Sequence, residues 1–179
     1  MKITDLKPTI VWKFFHQVTQ VPRPSKKEGK MIEFLESFAK EYKIAIKKDE
    51  AGNLLMSKPA TPGMEDRPVV VLQSHMDMVC EKVPDCDKDM DEEGLDLLID
   101  GDFISAKGTT LGGDDGIAVA YALAILDDDS LSHPRLEFVC TVCEEVGMEG
   151  ATGIDVSMLK GKKLLNMDSE EEGVMLASC

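Results

Sequence analysis

Four apolar elements of this chain meet short polar groups. His75 and Asp77 follow VVVLQ, Asp114 and Asp115 precede GIAVAYALAIL, Glu144 and Glu145 follow LEFVCTVC, and Asp168 follows KKLLNM. Imidazole and carboxylate are the groups that ligate divalent cations and move protons. In an extended segment residues i and i+2 share a face, so His75 and Asp77 would be neighbours, the carboxylate orienting the ring and raising its basicity. Taken singly, each group has a plainer reading: a surface strand end, a helix cap flanked by Gly112, Gly113 and Gly116, or a solvated loop. Recurrence favours the chemical one, because three strand ends and one helix entry deliver metal-type ligands to the same edge of one sheet. Neutral imidazole with several carboxylates suits zinc, and also manganese or cobalt. With one carboxylate bridging, two ions about 3.5 to 4 Å apart can deprotonate a water and polarise a carbonyl.

The elements that must position these residues are readable from periodicity. Ile10, Val11, Phe14, Phe15 and Val18 recur at helical spacing and predict an amphipathic helix over Thr9 to Thr19. Ser25 and Glu28 form an S-x-x-E capping box ahead of a second helix carrying Met31, Phe34, Leu35 and Phe38 and fading near Lys43. IAIKK and LLMSK around DEAGN predict a hairpin in which Gly52 and Asn53 can take positive φ. Val69 to Leu72 read as a central strand covered on both faces, and DLLIDGDFISAKG as a hairpin turning at Asp100-Gly101. Gly116 to Leu126 is apolar all round and predicts a buried helix. LEFVCTVC and KKLLNMD predict two further strands, and VMLAS the start of another. Strands alternating with helices make an α/β layered sheet, and open sheets of that kind bind ligands beyond their strand ends.

Composition narrows the partners. A chain of 179 residues with 43% hydrophobic content can bury one sizeable core. Its net charge of -14, from 34 acidic against 20 basic residues, argues against nucleic acid and suits a cationic ligand. No apolar stretch approaches the roughly 18 to 20 residues that span a bilayer, so no membrane partner is expected. MKITDLKPTIVWKFF has no signal-peptide pattern, and the expected location is the cytoplasm. Five cysteines, an odd number in a chain of this size, are expected to be reduced thiols. Cys140 and Cys143 form a CxxC, but within an apolar strand and without a second pair, so they read as core residues. The acidic loop from Asp85 to Asp96 lacks the glycine and the final glutamate of a calcium loop, with Met90 and Asp96 in those places.

VVVLQSHMDMVCEK, GTTLGGDDGIAVA, VCEEVGMEGATG and LLNMDSEEEG together resemble the M20 family of metallopeptidases, and within it the aminoacylhistidine (Xaa-His) dipeptidases, or peptidase D group. VWKFFHQVTQVPRPSKKEGKMIEFL and DEAGNLLMSKPATPGME match that group too, so the resemblance covers essentially the whole chain. It implies a three-layer α/β sandwich of zinc-peptidase type, with a mostly parallel mixed sheet flanked by helices. It implies two zinc ions, with His75 and Asp168 binding the first, Asp114 bridging, and Glu145 binding the second. Glu144 would be the general base acting on a metal-bound water, and Asp77 would orient His75. A cis peptide at Asp114-Asp115 and hydrolysis of Xaa-His dipeptides are further implications. Relatives within the family act on tripeptides, acylated amino acids or other amides, and preference for a C-terminal histidine rests on the resemblance alone.

Family members are much longer, with an inserted lid or dimerisation domain through which they form homodimers, and with a last histidine ligand near the C-terminus. His16 in the first helix and His133 at the far end of its strand are not substitutes for that ligand. The expectation is therefore that residues 1 to 179 are the N-terminal portion of an incomplete catalytic domain. Such a portion would be weak or inactive and would hold a second ion through Asp114 and Glu145 alone. The other reading is a noncatalytic domain that keeps the fold and one ion.

Overall fold

A computed structural model describes residues 2–169 and 173–177. Helix α1 spans Thr9–Thr19 and α2 Gly29–Glu41, followed by strands β1 (Ala45–Lys48), β2 (Leu54–Lys58) and β3 (Val70–His75). Strands β4 (Leu97–Asp100) and β5 (Phe103–Ala106) make a separate hairpin, with Gly101 at φ 57° in its turn. Helix α3 (Gly113–Asp127), β6 (Leu136–Thr141), the short α4 (Glu149–Thr152) and β7 (Lys163–Asn166) complete the order. The main sheet runs β1-β2-β6-β3-β7. β3 is parallel to both β6 and β7, while β2 is antiparallel to β1 and β6. This is the mixed α/β sheet flanked by helices that the sequence predicts.

Side chains alternate across the sheet. Leu54, Met56, Leu72, Phe138 and Cys140 join Phe14, Val18, Leu35, Val119 and Leu123 in one core. Leu55, Val71 and Val139 face the other way, against Ile154, Met158 and Leu159. The helical layer on the first face is thick, with α1 packed on α3 and α3 on β3. On the second face the cover among the described residues is the short stretch of chain around residues 154–159.

Three expectations need correction. Ser25 and Glu28 form no capping box: Glu28 is itself the N-cap of α2, without a side-chain cap bond, because both side chains are drawn to partners far along the chain. Asn53 is not at positive φ. Gly52 alone takes that conformation in the turn, at 99°, and Asn53 is buried for its side-chain bonds. Val174 to Ala177 form no strand, and Ser178 lies outside the described residues.

Candidate metal centre

Parallel pairing brings the functional strand ends to one edge. Ser74 and His75 stand opposite Cys140 and Thr141, and Gln73 opposite Asn166, so β3, β6 and β7 finish nearly level. At the same edge the chain enters α3 through Gly112, at φ 62°, and through Asp114 and Asp115, whose backbone angles are not yet helical. The Asp114-Asp115 peptide bond is cis, as the resemblance implies.

His75, Asp114 and Asp168 meet there, each with a ligand atom within 4.8 Å of the others. His75 is fully buried, and its Nε2 lies 2.8 Å from Asp114 Oδ1. Its Nδ1 faces Asp77, 3.1 Å from the carbonyl oxygen and 3.3 Å from Oδ1. One ring nitrogen is therefore fixed from behind and the other turned toward two carboxylates, the orientation a ligating histidine needs. Donors about 2.0 to 2.2 Å from a common zinc lie roughly 3 to 4 Å apart, so these three side chains fit one divalent cation.

The charges of the site act on one another. Burial opposes protonation of His75, but hydrogen bonds to Asp77 and Asp114 overcome it and raise its pKa to about 9. Burial likewise opposes ionisation of Asp77, yet its bonds from His75, Ser25 and the Glu144 N–H hold it down to about 2. Asp115, whose Oδ2 accepts the backbone N–H of His75, is pushed up to about 7, chiefly by burial. Glu144 is raised as well, by burial first and then by Asp168, Glu145 and Asp77, against the opposing pull of His75.

The glutamate pair is aimed by a turn whose backbone is held by side chains from elsewhere. β6 ends at Thr141, and Cys143 takes φ 52°, a left-handed conformation uncommon outside glycine. Four consecutive N–H groups then donate to side-chain oxygens: Val142 to Asn53 Oδ1 at 3.1 Å, Cys143 to Glu28 Oε1 at 3.0 Å, Glu144 to Asp77 Oδ1 at 3.0 Å and Glu145 to Asp77 Oδ2 at 3.3 Å. Glu144 and Glu145 are both half-buried at the same edge, but Glu145 is not part of the His75, Asp114 and Asp168 group. Asp77 thus touches both the histidine and the backbone of the glutamates. The sequence reading found the former role and missed the latter.

Sequence reasoning also missed Arg23, the burial of Asp115 under the His75 backbone, and the destinations of Ser25 and Glu28. Adjacent Asp114 and Asp115 signalled a pair, but nothing local separates the outward-facing member from the buried one. The remaining candidates behave as expected. His16 lies in α1, and His133 precedes β6 at the end away from Glu144, its Nδ1 2.7 Å from the Pro134 carbonyl. Cys140 and Cys143 are free and buried, with burial pushing their thiols up to about 12 and about 11, so neither is a ready thiolate. In the acidic loop Asp96 pairs with Lys88 at 3.2 Å.

By sequence and by fold the chain is similar to known peptidases, although no family model matches it. It is 42% identical over 178 residues to the cytosol non-specific dipeptidase of Escherichia coli (strain K12), an alignment covering 99% of this chain and 37% of that protein. The crystal structure of aminoacylhistidine dipeptidase from Vibrio alginolyticus superposes with a TM-score of 0.94 at 43% identity, over 97% of this chain and 35% of the other. At the level of fold alone, a dinuclear metal-binding M20 peptidase from Bacillus subtilis matches with a TM-score of 0.58 at 14% identity, over 90% of this chain and 43% of its own. The chain spans about a third of the length of the first two relatives.

Proposed function

We propose that this chain supplies the metal-binding half-site of a cytoplasmic dipeptidase that hydrolyses Xaa-His and related dipeptides. The observation that carries the reading is the meeting of His75, Asp114 and Asp168 at the C-terminal edge of the parallel strands, with Asp77 behind the histidine. His75, Asp114 and Asp168 hold one ion, zinc by the chemistry of the set, and Asp114 with Glu145 offers a second ion two ligands. A bound divalent cation polarises a peptide carbonyl and eases deprotonation of water. Glu144, its pKa raised by burial and neighbouring carboxylates, takes the proton from the attacking water and returns it to the leaving amine. Asp77 keeps the His75 ring turned and holds the Glu144 N–H, so ligand and base share one support. Domain boundaries follow from this reading: residues 1–179 form the N-terminal portion of the catalytic domain.

The test is zinc titration by calorimetry with dipeptide hydrolysis alongside. One tight equivalent and one much weaker are expected, because three side chains serve the first ion and two the second. His75→Ala should abolish the tight equivalent. Glu144→Gln should leave it intact while lowering any turnover by about 10² to 10⁴. Tight zinc binding that survives His75→Ala would remove the basis of the proposal, and a Glu144→Gln variant with unchanged turnover would remove Glu144 from its role.

A further inference from the structure

We infer that the turn Arg23 to Glu28, between α1 and α2, is the brace of this centre, with Arg23, Ser25 and Glu28 as positioning residues for both the metal ligands and the base. The inference rests on the metal-site reading given above. These three side chains reach three of the four segments on which the centre is built, the exception being the one that carries Asp168.

Arg23 is buried, and its guanidinium joins two of those segments. Nη1 donates to the carbonyls of Met76 at 3.1 Å and Asp77 at 2.8 Å, and Nη2 donates to the carbonyl of Gly112. The end of β3, with His75 and Asp77, is thereby tied to the entry of α3, with Asp114. The backbone reinforces the tie, since the Met78 N–H donates to the Arg23 carbonyl at 3.1 Å. Ser25 Oγ donates to Asp77 Oδ2 at 2.7 Å, while His75 faces Oδ1. Glu28 Oε1 accepts from the N–H of Cys143 at 3.0 Å, where the chain turns toward Glu144 and Glu145.

Space has been cleared for this arrangement. A Cβ on Gly112 would lie 2.5 Å from Arg23 Nη2, and one on Gly116 would lie 2.6 Å from it. Both glycines stand at the start of α3, where a side chain would displace the guanidinium from its carbonyls. Burying a cation costs several kcal/mol and is a poor way merely to fill a core. A planar fork that reaches carbonyls on two separate segments is a geometric service, one that a lysine ammonium cannot reproduce. All three acceptors belong to residues within two positions of a proposed ligand or of its orienting carboxylate.

The experiment uses the 179-residue chain, zinc alone as probe, and amide exchange followed by NMR. Ser25→Ala deletes one half-buried hydroxyl. It should weaken the tight zinc site about tenfold, the usual scale for losing a partner behind a ligand. It should also speed exchange of the Glu144 and Glu145 amides, with little change in the metal-free melting temperature, and Ser25→Thr should restore both readouts. Glu28→Ala should speed exchange at Cys143 and Glu144, with Glu28→Gln closer to the unaltered chain. Arg23→Lys should weaken zinc in the same direction. If that variant does not fold, Ser25→Ala still decides. Unchanged zinc affinity and unchanged amide exchange in Ser25→Ala and Glu28→Ala would overturn the brace, as would a fall in melting temperature with neither readout moving. His75→Ala separates the two inferences: zinc lost there but untouched by the turn variants leaves the metal site standing and removes the brace.

Discussion

Asn53 shows how much of the site depends on one side chain with no chemical role. Fully buried, it gives its Nδ2 hydrogens to Asp49 Oδ2 at 2.8 Å and to the Gly150 carbonyl at 2.9 Å, while its Oδ1 accepts the Val142 N–H at 3.1 Å. Val142 and Gly150 stand on either side of the glutamate turn, so this amide staples both ends of it to the β1–β2 turn. In Asn53→Ala the N–H of Val142 loses its side-chain acceptor, and the Gly150 carbonyl and Asp49 each lose a donor. An unsatisfied buried polar group costs about 1 to 3 kcal/mol. Urea unfolding of Asn53→Ala should therefore show a loss of roughly 2 to 4 kcal/mol, and a change under about 0.5 kcal/mol would mean that the turn is held by its other bonds alone. At this scale the sequence was least legible. An N following AG in a hairpin reads as a residue chosen for its backbone, and the signal that it is chosen for its amide lies at Val142 and Gly150, about ninety residues away.

Elements were far more legible than side-chain destinations, because periodicity is local and long-range bonding is not. The period of Val11, Phe14, Phe15 and Val18 is read within one window, and α1 has the predicted bounds, Thr9–Thr19. Ser25 and Asp77 stand 52 residues apart, and Glu28 and Cys143 stand 115 apart, so S-x-x-E could be read only as a local cap. Strand β6 hides a similar case in Glu137, fully buried in a run that reads as apolar. Its Oε2 accepts the N–H groups of Lys160 at 2.8 Å and Gly161 at 3.0 Å, and its Oε1 accepts Arg135 Nε at 3.2 Å, anchoring the approach to β7. Burial works to raise the Glu137 carboxyl, but these donors prevail and hold it below its ordinary value. A carboxyl depressed on folding contributes stability above its unfolded pKa, about 4.3, and that contribution is lost as pH falls through the lower folded value. Glu137→Gln should cost about 2 kcal/mol at pH 7. The difference from the unaltered chain should shrink as pH drops below about 4.3, as urea midpoints measured from pH 7 to pH 3 would show. A gap that stays constant or widens on acidification would contradict the charged state assigned to this residue.

Over the whole molecule, a strong net charge and an incompletely covered sheet act against each other. Among the described residues β7 is an edge of the main sheet, and its Leu164 and Leu165 are about half exposed, at 55% and 54%. Met175 and Leu176 add further apolar surface, at 93% and 90%. An exposed apolar edge strand offers unpaired backbone groups and a hydrophobic surface to another chain, and natural sheets usually blunt such edges with charge. Lys163 is the one charged residue within β7. What opposes association is the overall charge of -14, a long-range repulsion between copies that reaches about 30 Å at 0.01 M salt and about 3 Å at 1 M. Raising ionic strength removes the repulsion and leaves the apolar attraction, so the weight-average mass from light scattering should rise with salt. Leu165→Lys places a charge on the edge itself and should flatten that rise while leaving the fold, read by circular dichroism, unchanged. Association that weakens with salt would instead point to pairing between charged surfaces, with β7 uninvolved. The same edge bears on the centre, because Asp168 lies two residues beyond β7. If a second chain pairs with this strand it stiffens the support of one ligand, so zinc affinity should increase with protein concentration in the unaltered chain and stay constant in Leu165→Lys.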